Sequence, residues 1–477
     1  MTEFVPFYPP RLKKPPYIWR RLWLARRNFL EIWEDKDFEL DFSSARLFAR
    51  RAFVCNSPES VQFAFNTHNS SFERKSPQMR YALGPLLGDG LFISDGETWR
   101  RRRRIIAPLI HVSRLADWAP TMVETAMEWR DRWASMGGGQ TINALQEMGQ
   151  LTAEIICRTI FGRQLGREYA YQIVDAFSEY QRAIGQIDLI SLLGLPDWLP
   201  RQYGSAVRRS VRRINEVLDQ IIGNYGRQRG QDEGTVIGQL LDARDPETGE
   251  ALDATGLRNE TAVLLMAGHE TTANLLAWTW YLLSQAPEVE ARLHAEIDSV
   301  LRGNLPTLAD VPRLTYTRAV LDETLRLYPP VPILSREALS AEVFRGKCIP
   351  KGSLVLVVPW LLHRHRKLWE KPDHFIPERF LSEGGLPQSK FAYVPFSIGP
   401  RICAGLSFGQ AEATFCLATL AQQFRLRLEP GRQIRPVARL TLRPEGGLYM
   451  QVHRRDPAEF ANEWTGTAAR YCPVVHG

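Results

Sequence analysis

One long helical stretch constrains the fold of this chain more than any other feature. From Thr255 to Gln285 the sequence runs for about 31 residues without proline, and Pro287 marks its end. A helix of that length spans ~46 Å, which is enough to cross a whole domain. His269 and Glu270 interrupt its apolar run, so it is too polar to be a membrane span. The sequence therefore predicts a large, helix-rich domain built around this element.

The composition is that of a globular protein with ample apolar material for a core. Of 477 residues, 44% are hydrophobic and 24% are charged. No signal-peptide pattern and no run of about 18 apolar residues is present, so we expect no transmembrane segment. The six cysteines are scattered without a CxxC pair. This argues against a disulfide framework or a zinc ribbon and indicates a reducing, cytoplasmic compartment.

We expect three segments along the chain. A Pro-rich, basic and aromatic arm occupies residues 1–35, one mainly α domain with a small β region occupies 36–455, and a tail follows at 456–477. From Tyr17 onward the arm predicts a short amphipathic helix, which either packs on the body or touches the inner face of a membrane. The net charge is +7. No nucleic-acid-binding motif accompanies it, so we expect no nucleic-acid partner, and we expect a monomer.

The segment FSIGPRICAG holds one cysteine in a setting that favours a thiolate. A helix is predicted directly after it, and the free N–H groups and positive dipole end of a helix lower the pKa of a thiol. Gly399 and Gly405 allow the backbone to fold tightly around Cys403, and the charge of Arg401 suits an acidic group of a cofactor. A single cysteine without Cys or His partners cannot form a zinc site, but it can be the axial ligand of a haem.

The spacing Phe-x-x-Gly-x-Arg-x-Cys-x-Gly resembles the haem-binding loop of the cytochrome P450 family, and further motifs follow the order of that family over residues 40–455. The resemblance implies the cytochrome P450 fold with haem b, Cys403 as the iron ligand, and contacts from Phe396, Gly399 and Gly405. It implies a monooxygenase that activates O2 and hydroxylates or epoxidises its substrate. Electrons from NAD(P)H are expected through a separate reductase with a ferredoxin or flavodoxin.

The segment AGHETT places an acid and an alcohol in the otherwise apolar long helix. Burying such groups is costly, and a threonine can bond back to its own helix and open it locally. Taken alone, Glu270 and Thr271 could be a surface acid and a satisfied hydroxyl. The resemblance instead implies that they lie over the haem beside Ala267 and deliver protons during oxygen activation.

The segment ETLR puts Glu323 and Arg326 at positions i and i+3 of a helix, where they share one face. The resemblance adds Arg379, from the segment PERF, to this pair as a buried network. Buried charges persist only when they are paired, so we expect this network to support the cysteine loop without touching substrate.

The segment WRRRR resembles the family pattern Trp-x-x-x-Arg. The resemblance implies that Trp99 and Arg103, together with Arg336 and Arg401, contact the haem propionates, and arginine–carboxylate pairing gives a physical reason for that role. The other arginines of the run are either a solvated face or the surface on which the electron donor docks: Arg100, Arg101 and Arg104.

The resemblance also implies a substrate pocket with apolar walls. Its expected members are Val263, Ala267, Val331, Pro332, Ile333, Leu334 and Leu440. These walls predict a lipophilic substrate such as a fatty acid, a terpenoid or a steroid. Two other functions would share Cys403 and stay open, namely a haem-thiolate peroxygenase or isomerase and a non-enzymatic haem sensor. The intact pair of Glu270 and Thr271 favours the monooxygenase.

Overall fold

The computed structural model describes residues 4–185, 188–195, 199–227, 235–381 and 385–455. The helices are α1 (Ile18–Arg27), α2 (Pro58–Gln62), α3 (Pro77–Leu87), α4 (Gly96–Leu109), α5 (Leu115–Ser135), α6 (Ala144–Phe161), α7 (Arg163–Ala183), α8 (Leu189–Leu192), α9 (Ser205–Arg227), α10 (Val236–Asp242), α11 (Ala254–Gln285), α12 (Pro287–Leu301), α13 (Thr315–Leu327), α14 (Pro359–Leu362) and α15 (Leu406–Ala421). The strands are β1 (Phe42–Leu47), β2 (Arg50–Cys55), β3 (Arg74–Lys75), β4 (Thr141–Asn143), β5 (Leu334–Glu337), β6 (Glu342–Phe344), β7 (Lys347–Ile349), β8 (Leu354–Val357), β9 (Phe424–Leu428), β10 (Pro436–Ala438), β11 (Leu442–Pro444) and β12 (Tyr449–Arg454). The predicted fold class, mainly α with a small β region, is confirmed.

The long helix predicted from the sequence is α11, which starts within one residue of the predicted position. Asp253 caps it, because its carboxylate accepts the N–H of Gly256 at 2.7 Å. Gly268 allows α6 to come close, since a Cβ there would lie 2.7 Å from the side chain of Ile156. Most of α11 is buried in the main core of the protein. None of the helices in the described ranges is long and apolar enough to cross a membrane.

The strands form one larger sheet and several small ones. The larger sheet has the order β1-β2-β8-β5-β3, with β2 and β8 parallel and the other neighbours antiparallel. A three-stranded sheet has the order β4-β12-β9, and β6–β7 and β10–β11 are hairpins. Val355 and Val357 of β8 are fully buried with Phe53 in a second core. At the edge of the larger sheet, Lys75 on β3 is the register partner of Arg336 on β5.

The N-terminal arm lies along the body of the protein. The guanidinium of Arg11 donates to both oxygens of Asp373 at 2.6 and 2.7 Å. The hydroxyl of Tyr328 donates to the carbonyl of Phe7 at 2.7 Å. The short helix predicted from Tyr17 onward is α1. The division of the chain near residue 35 stays a prediction, and the predicted tail lies outside the described residues.

Candidate active site

The loop that carries Cys403 folds through two residues with positive φ. These are Ser397 and Gly399, with φ of 62° and 75°. A Cβ at Gly399 would stand 1.9 Å from the carbonyl oxygen of Phe65, so only glycine fits there. The loop closes where the N–H of Cys403 donates to the carbonyl of Phe396 at 2.9 Å. Helix α15 begins directly after the loop, as predicted.

The Cys403 thiol combines burial with access to open space. Burial raises its pKa, while the backbone N–H of Gly405 and the charges of Arg103 and Lys75 act to lower it. Burial has the larger effect on the free thiol, and the lowered pKa expected for a metal-bound thiolate stays a prediction. Cys403 as a whole residue is nevertheless accessible to solvent. A Cβ at Gly405 would meet no described atom within 4 Å, so open space also lies beside this glycine.

Three cations lie close together, and the charge of Arg401 lowers the pKa of both Arg336 and Lys75. Burial and then the charge of Arg401 lower the pKa of Arg336 to about 9. Burial also lowers the pKa of Lys75, with further effects from Arg336 and Arg401. The Nη2 atom of Arg336 is buried and has no hydrogen-bond partner among the described residues. A cluster of this kind is stabilised by an anionic group with several acceptor oxygens.

Arg401 and Arg103 connect this cluster to the cysteine. The guanidinium of Arg401 donates to three main-chain carbonyls and lies 4.8 Å above the ring of Trp99. Burial lowers the pKa of Arg401 to about 10. Arg103 donates to the carbonyl of Ile402 at 3.1 Å, which places it beside Cys403. The structure therefore brings together Trp99, Arg103 and Arg401 around the cysteine loop.

These donors fit a haem. In the part of the chain that the structure describes, no group of three or more His, Cys, Asp or Glu side chains could hold a metal ion. A haem supplies its own nitrogen ligands, takes one axial thiolate and carries propionate carboxylates. Cys403 could be that ligand, and the unpartnered Nη2 of Arg336 suits a propionate. Sequence reasoning missed Lys75, because its place beside Arg336 depends on strand pairing and not on a local motif.

The middle of α11 also borders open space. Ala267 is exposed although it lies between buried stretches of the same helix. The hydroxyl of Thr271 donates to the carbonyl of Ala267 at 2.8 Å, which is the back-bonding expected of a threonine here. Leu91 ties this helix to the cation cluster, since its N–H donates to Glu260 on α11 at 2.9 Å and its carbonyl accepts from Arg401 at 3.3 Å.

Glu270 is held in a buried ion pair. Its Oε1 accepts from Nε of Arg443 at 2.5 Å, from the hydroxyl of Thr441 at 2.7 Å and from the amide of Asn274 at 2.8 Å. A second nitrogen of Arg443 donates to Oε2. Burial raises the pKa of Glu270, but Arg443 and Thr441 outweigh it and bring the pKa to about 2. The structure thus separates the acid, fixed on the β10–β11 hairpin, from Thr271, which bonds its own helix.

The residues predicted as a structural network do lie together. The Glu323 carboxylate accepts from Nε and Nη2 of Arg326 at 2.6 and 2.8 Å, and both side chains are fully buried. Arg379 lies 3.5 Å from the same carboxylate. Arg326 also donates to the carbonyl of His363 at 2.7 Å, and the His363 ring accepts the N–H of Val394 at 2.9 Å. This chain of bonds leads directly to the start of the cysteine loop.

The predicted pocket residues lie on α11, on the segment before β5 and at the start of that strand, and on the β10–β11 hairpin. Val263 is buried in the main core. The N–H of Leu442 on β11 donates to the carbonyl of Pro330 at 3.0 Å. This bond brings the hairpin next to the segment that begins with Val331. Ile333 and Leu440 are partly buried against the main core, whereas Leu334 packs against the second core. Pro332 is buried.

The arginines predicted to dock an electron donor already have acidic partners. Arg100, Arg101 and Arg104 each form an ion pair with a carboxylate. Arg104 lowers the pKa of Asp245, which lies 2.7 Å away in the segment between α10 and α11. Arg102, to which no role was assigned, is buried and pairs with Asp89 and with Glu260 on α11. Much of the arginine run therefore fixes α4 to its neighbours.

Comparisons with known proteins identify the family of this chain. A family model described as Cytochrome P450 matches residues 9–452. Cyclooctat-9-en-7-ol 5-monooxygenase from Streptomyces melanosporofaciens is 33% identical over 351 residues, which cover 72% of this chain and 74% of that protein. Pentalenene oxygenase from Streptomyces avermitilis is 30% identical over 443 residues, which cover 92% and 95% of the two chains. The crystal structure of the cytochrome P450DA haem domain is 28% identical, with a TM-score of 0.78 over 95% of this chain and 98% of that one.

Proposed function

This chain belongs to the cytochrome P450 family and is a monooxygenase, and we propose that it transfers an oxygen atom to a lipophilic substrate of the terpenoid class. The observation that carries this proposal is the pair of similar oxygenases, whose names give pentalenene and a cyclic alkenyl alcohol as substrates. The apolar character of the expected pocket residues supports it, since such walls offer few hydrogen bonds to a polar substrate.

When it is bound, the haem supplies the redox chemistry that activates O2, with electrons from a protein partner. We propose that Cys403 is its ligand in the thiolate form. A metal drives a coordinating thiol to lose its proton, which overcomes the raised pKa of the free thiol. The N–H of Gly405 then donates to the sulfur and stabilises its charge. Arg336, Arg401 and Lys75 would hold the propionates, and Arg103 and Trp99 would complete their surroundings.

For proton delivery we propose a division of labour between Thr271 and Glu270. The Thr271 hydroxyl lies on the exposed side of α11 and is bonded to the Ala267 carbonyl. When the hydroxyl breaks this bond, it would pass a proton to the oxygen that reacts. Glu270 is ionised at neutral pH, so it would take up a proton from solvent only transiently and would return to the carboxylate when it passes that proton on, and Arg443 favours this ionised form. This arrangement supports the monooxygenase over a peroxygenase or a sensor, which need no such relay.

The experiment that tests the function combines ligand binding with turnover. The holoprotein should respond to terpenoid hydrocarbons and alcohols with a change in haem spin state, and should convert the tightest binder to an oxygenated product when a ferredoxin, its reductase and NAD(P)H are supplied. A screen in which polar compounds bind most tightly would contradict the substrate class.

A threonine pair on α11 offers a matched test of the relay. Thr271→Ala should reduce the product formed per electron pair consumed by about tenfold, since general acid catalysis contributes at least that much. Thr261 makes the same bond to its own helix, at 2.7 Å to the Leu257 carbonyl, but is fully buried away from the exposed side. Thr261→Ala should therefore leave this ratio unchanged, and equal losses in both variants would contradict the role of Thr271.

We propose that the electron donor docks on the face of α4 beside Arg103 and the cysteine loop. Arg100 is the most exposed of the three predicted arginines, with 46% of its side chain accessible. Arg100→Glu should slow the first electron transfer at low salt, whereas Arg209→Glu on the exposed side of α9 should not. Equal rates in the wild type and Arg100→Glu would count against this surface. The free cysteines of the described residues agree with a proposed cytoplasmic location.

A further inference from the structure

The outer face of helix α1 consists only of tryptophan and arginine. At ~100° per residue, the five exposed residues of α1 fall within an arc of about 120°. They form what we call the Trp–Arg face: Trp19, Arg20, Trp23, Arg26 and Arg27. Trp19 is 71% exposed and Trp23 is 57% exposed, which is rare for such large apolar side chains. The helix contains no acidic residue.

The opposite side of α1 fixes the helix to the body, so the Trp–Arg face points outward. Leu24 is buried, and Leu22 packs against a small third core that includes Leu192 and Leu354. Arg21, on the inner side, donates to Glu34 at 3.0 Å. The arginines of the Trp–Arg face, in contrast, form no ion pair with any residue that the structure describes. Their charges are therefore available to a partner.

Exposed leucines continue this surface beyond α1. The ring of Trp19 lies 5.7 Å from that of Phe48, in the turn between β1 and β2. The N–H of Ala49 in the same turn donates to the carbonyl of Leu192 at 3.1 Å, where α8 ends. Directly after α8, Leu193 is 55% and Leu195 is 42% exposed. The Trp–Arg face, this turn and the two leucines therefore form one continuous surface.

We propose that this surface binds an anionic lipid bilayer, with α1 lying parallel to the membrane plane. Tryptophan favours the boundary between headgroups and acyl chains, and arginine can keep its charge at the headgroups while its stem contacts apolar surface. A helix of ten residues is ~15 Å long and lies on a bilayer without crossing it. Exposed Trp and Leu beside unpaired Arg favour lipid over an acidic protein, whose docking would not require two exposed leucines.

Lipid binding at this surface would keep the protein at the membrane, where lipophilic compounds accumulate. Membrane binding itself does not depend on the proposed function, because it is measured without turnover.

The test is sedimentation of the holoprotein with vesicles of phosphatidylcholine and phosphatidylglycerol, with vesicles of phosphatidylcholine alone for comparison. The wild type should bind the anionic vesicles, and high salt should weaken the binding. The triple variant Arg20→Glu, Arg26→Glu, Arg27→Glu should bind about 100-fold more weakly. The double variant Trp19→Ala, Trp23→Ala should bind about tenfold more weakly.

Helix α9 provides a control with the same change in net charge. It exposes arginines without tryptophan, and the matched triple variant is Arg208→Glu, Arg209→Glu, Arg212→Glu. This control should keep binding within about threefold of the wild type, because its charges lie outside the proposed surface. The proposal is overturned if the wild type does not sediment with anionic vesicles, if it binds neutral vesicles equally well, or if the α9 variant loses as much binding as the α1 variant.

Discussion

Replacing Arg443 by leucine should leave the Glu270 carboxylate without its cation in the core. Burial alone would raise the pKa of Glu270, yet Arg443 and its neighbours bring it from 4.5 to about 2. The difference between these values corresponds to about 3.4 kcal/mol at ~1.36 kcal/mol per pKa unit. Because Arg443→Leu leaves a buried charge behind, its loss of unfolding free energy should be about 3–5 kcal/mol at pH 7. Urea unfolding of the holoprotein, followed by circular dichroism, measures it.

The stability that the Glu270–Arg443 ion pair contributes should decrease as the pH falls. The folded-state pKa of Glu270 lies below its ordinary value, so the ion pair contributes fully above about pH 4.5 and its contribution is lost as the pH falls toward 2. The stability difference between the wild type and Arg443→Leu should therefore shrink in that window.

Two further variants separate the ion pair from other effects. Arg443→Leu combined with Glu270→Gln should regain part of the stability, because no buried charge is left unpaired. Arg439→Leu, at an exposed arginine on the same hairpin, should change the unfolding free energy by less than about 0.5 kcal/mol. If Arg443→Leu is as stable as Arg439→Leu, or if the double variant is less stable than Arg443→Leu, the assignment of Arg443 as the partner of Glu270 is wrong.

Three other perturbations have expected outcomes. Arg336→Leu should lose haem to a haem-accepting apoprotein at least about tenfold faster than the wild type, since a buried charged donor that holds a propionate is removed; an unchanged rate would argue against this contact. Gly399→Ala should lower the unfolding free energy by more than about 2 kcal/mol, because its Cβ would meet the Phe65 carbonyl, and wild-type stability in urea would contradict that geometry. Burial raises the pKa of Glu412, so the folded state keeps a proton that the unfolded state releases above about pH 4.5. Glutamine does not titrate, so Glu412→Gln should raise the melting temperature, and this increase should grow between about pH 5 and pH 8. An increase that does not vary with pH would show that Glu412 is not protonated in the folded state.

The parts of the site that sequence could predict are those encoded within a few residues. The bounds of α11 followed from an unbroken helical pattern that ends before Pro287; its end is confirmed, and its start lies one residue before the predicted Thr255. The pairing of Glu323 with Arg326 followed from their i, i+3 spacing on one helix. In both cases neighbouring residues along the chain determine the geometry.

The parts that sequence could not predict depend on contacts between distant segments. Arg443 reaches Glu270 across 173 positions, and Lys75 lies beside Arg336 through strand pairing. No local pattern distinguishes these residues from the other basic side chains of a basic protein.

The absorption spectrum of the dithionite-reduced, CO-bound holoprotein tests most directly whether Cys403 binds the haem iron as a thiolate. The wild type should show a strongly red-shifted Soret band, and Cys403→His should move this band to the position typical of imidazole ligation. A wild-type band at that position, or a red-shifted band that persists in Cys403→His, would contradict the assignment of Cys403 as the ligand.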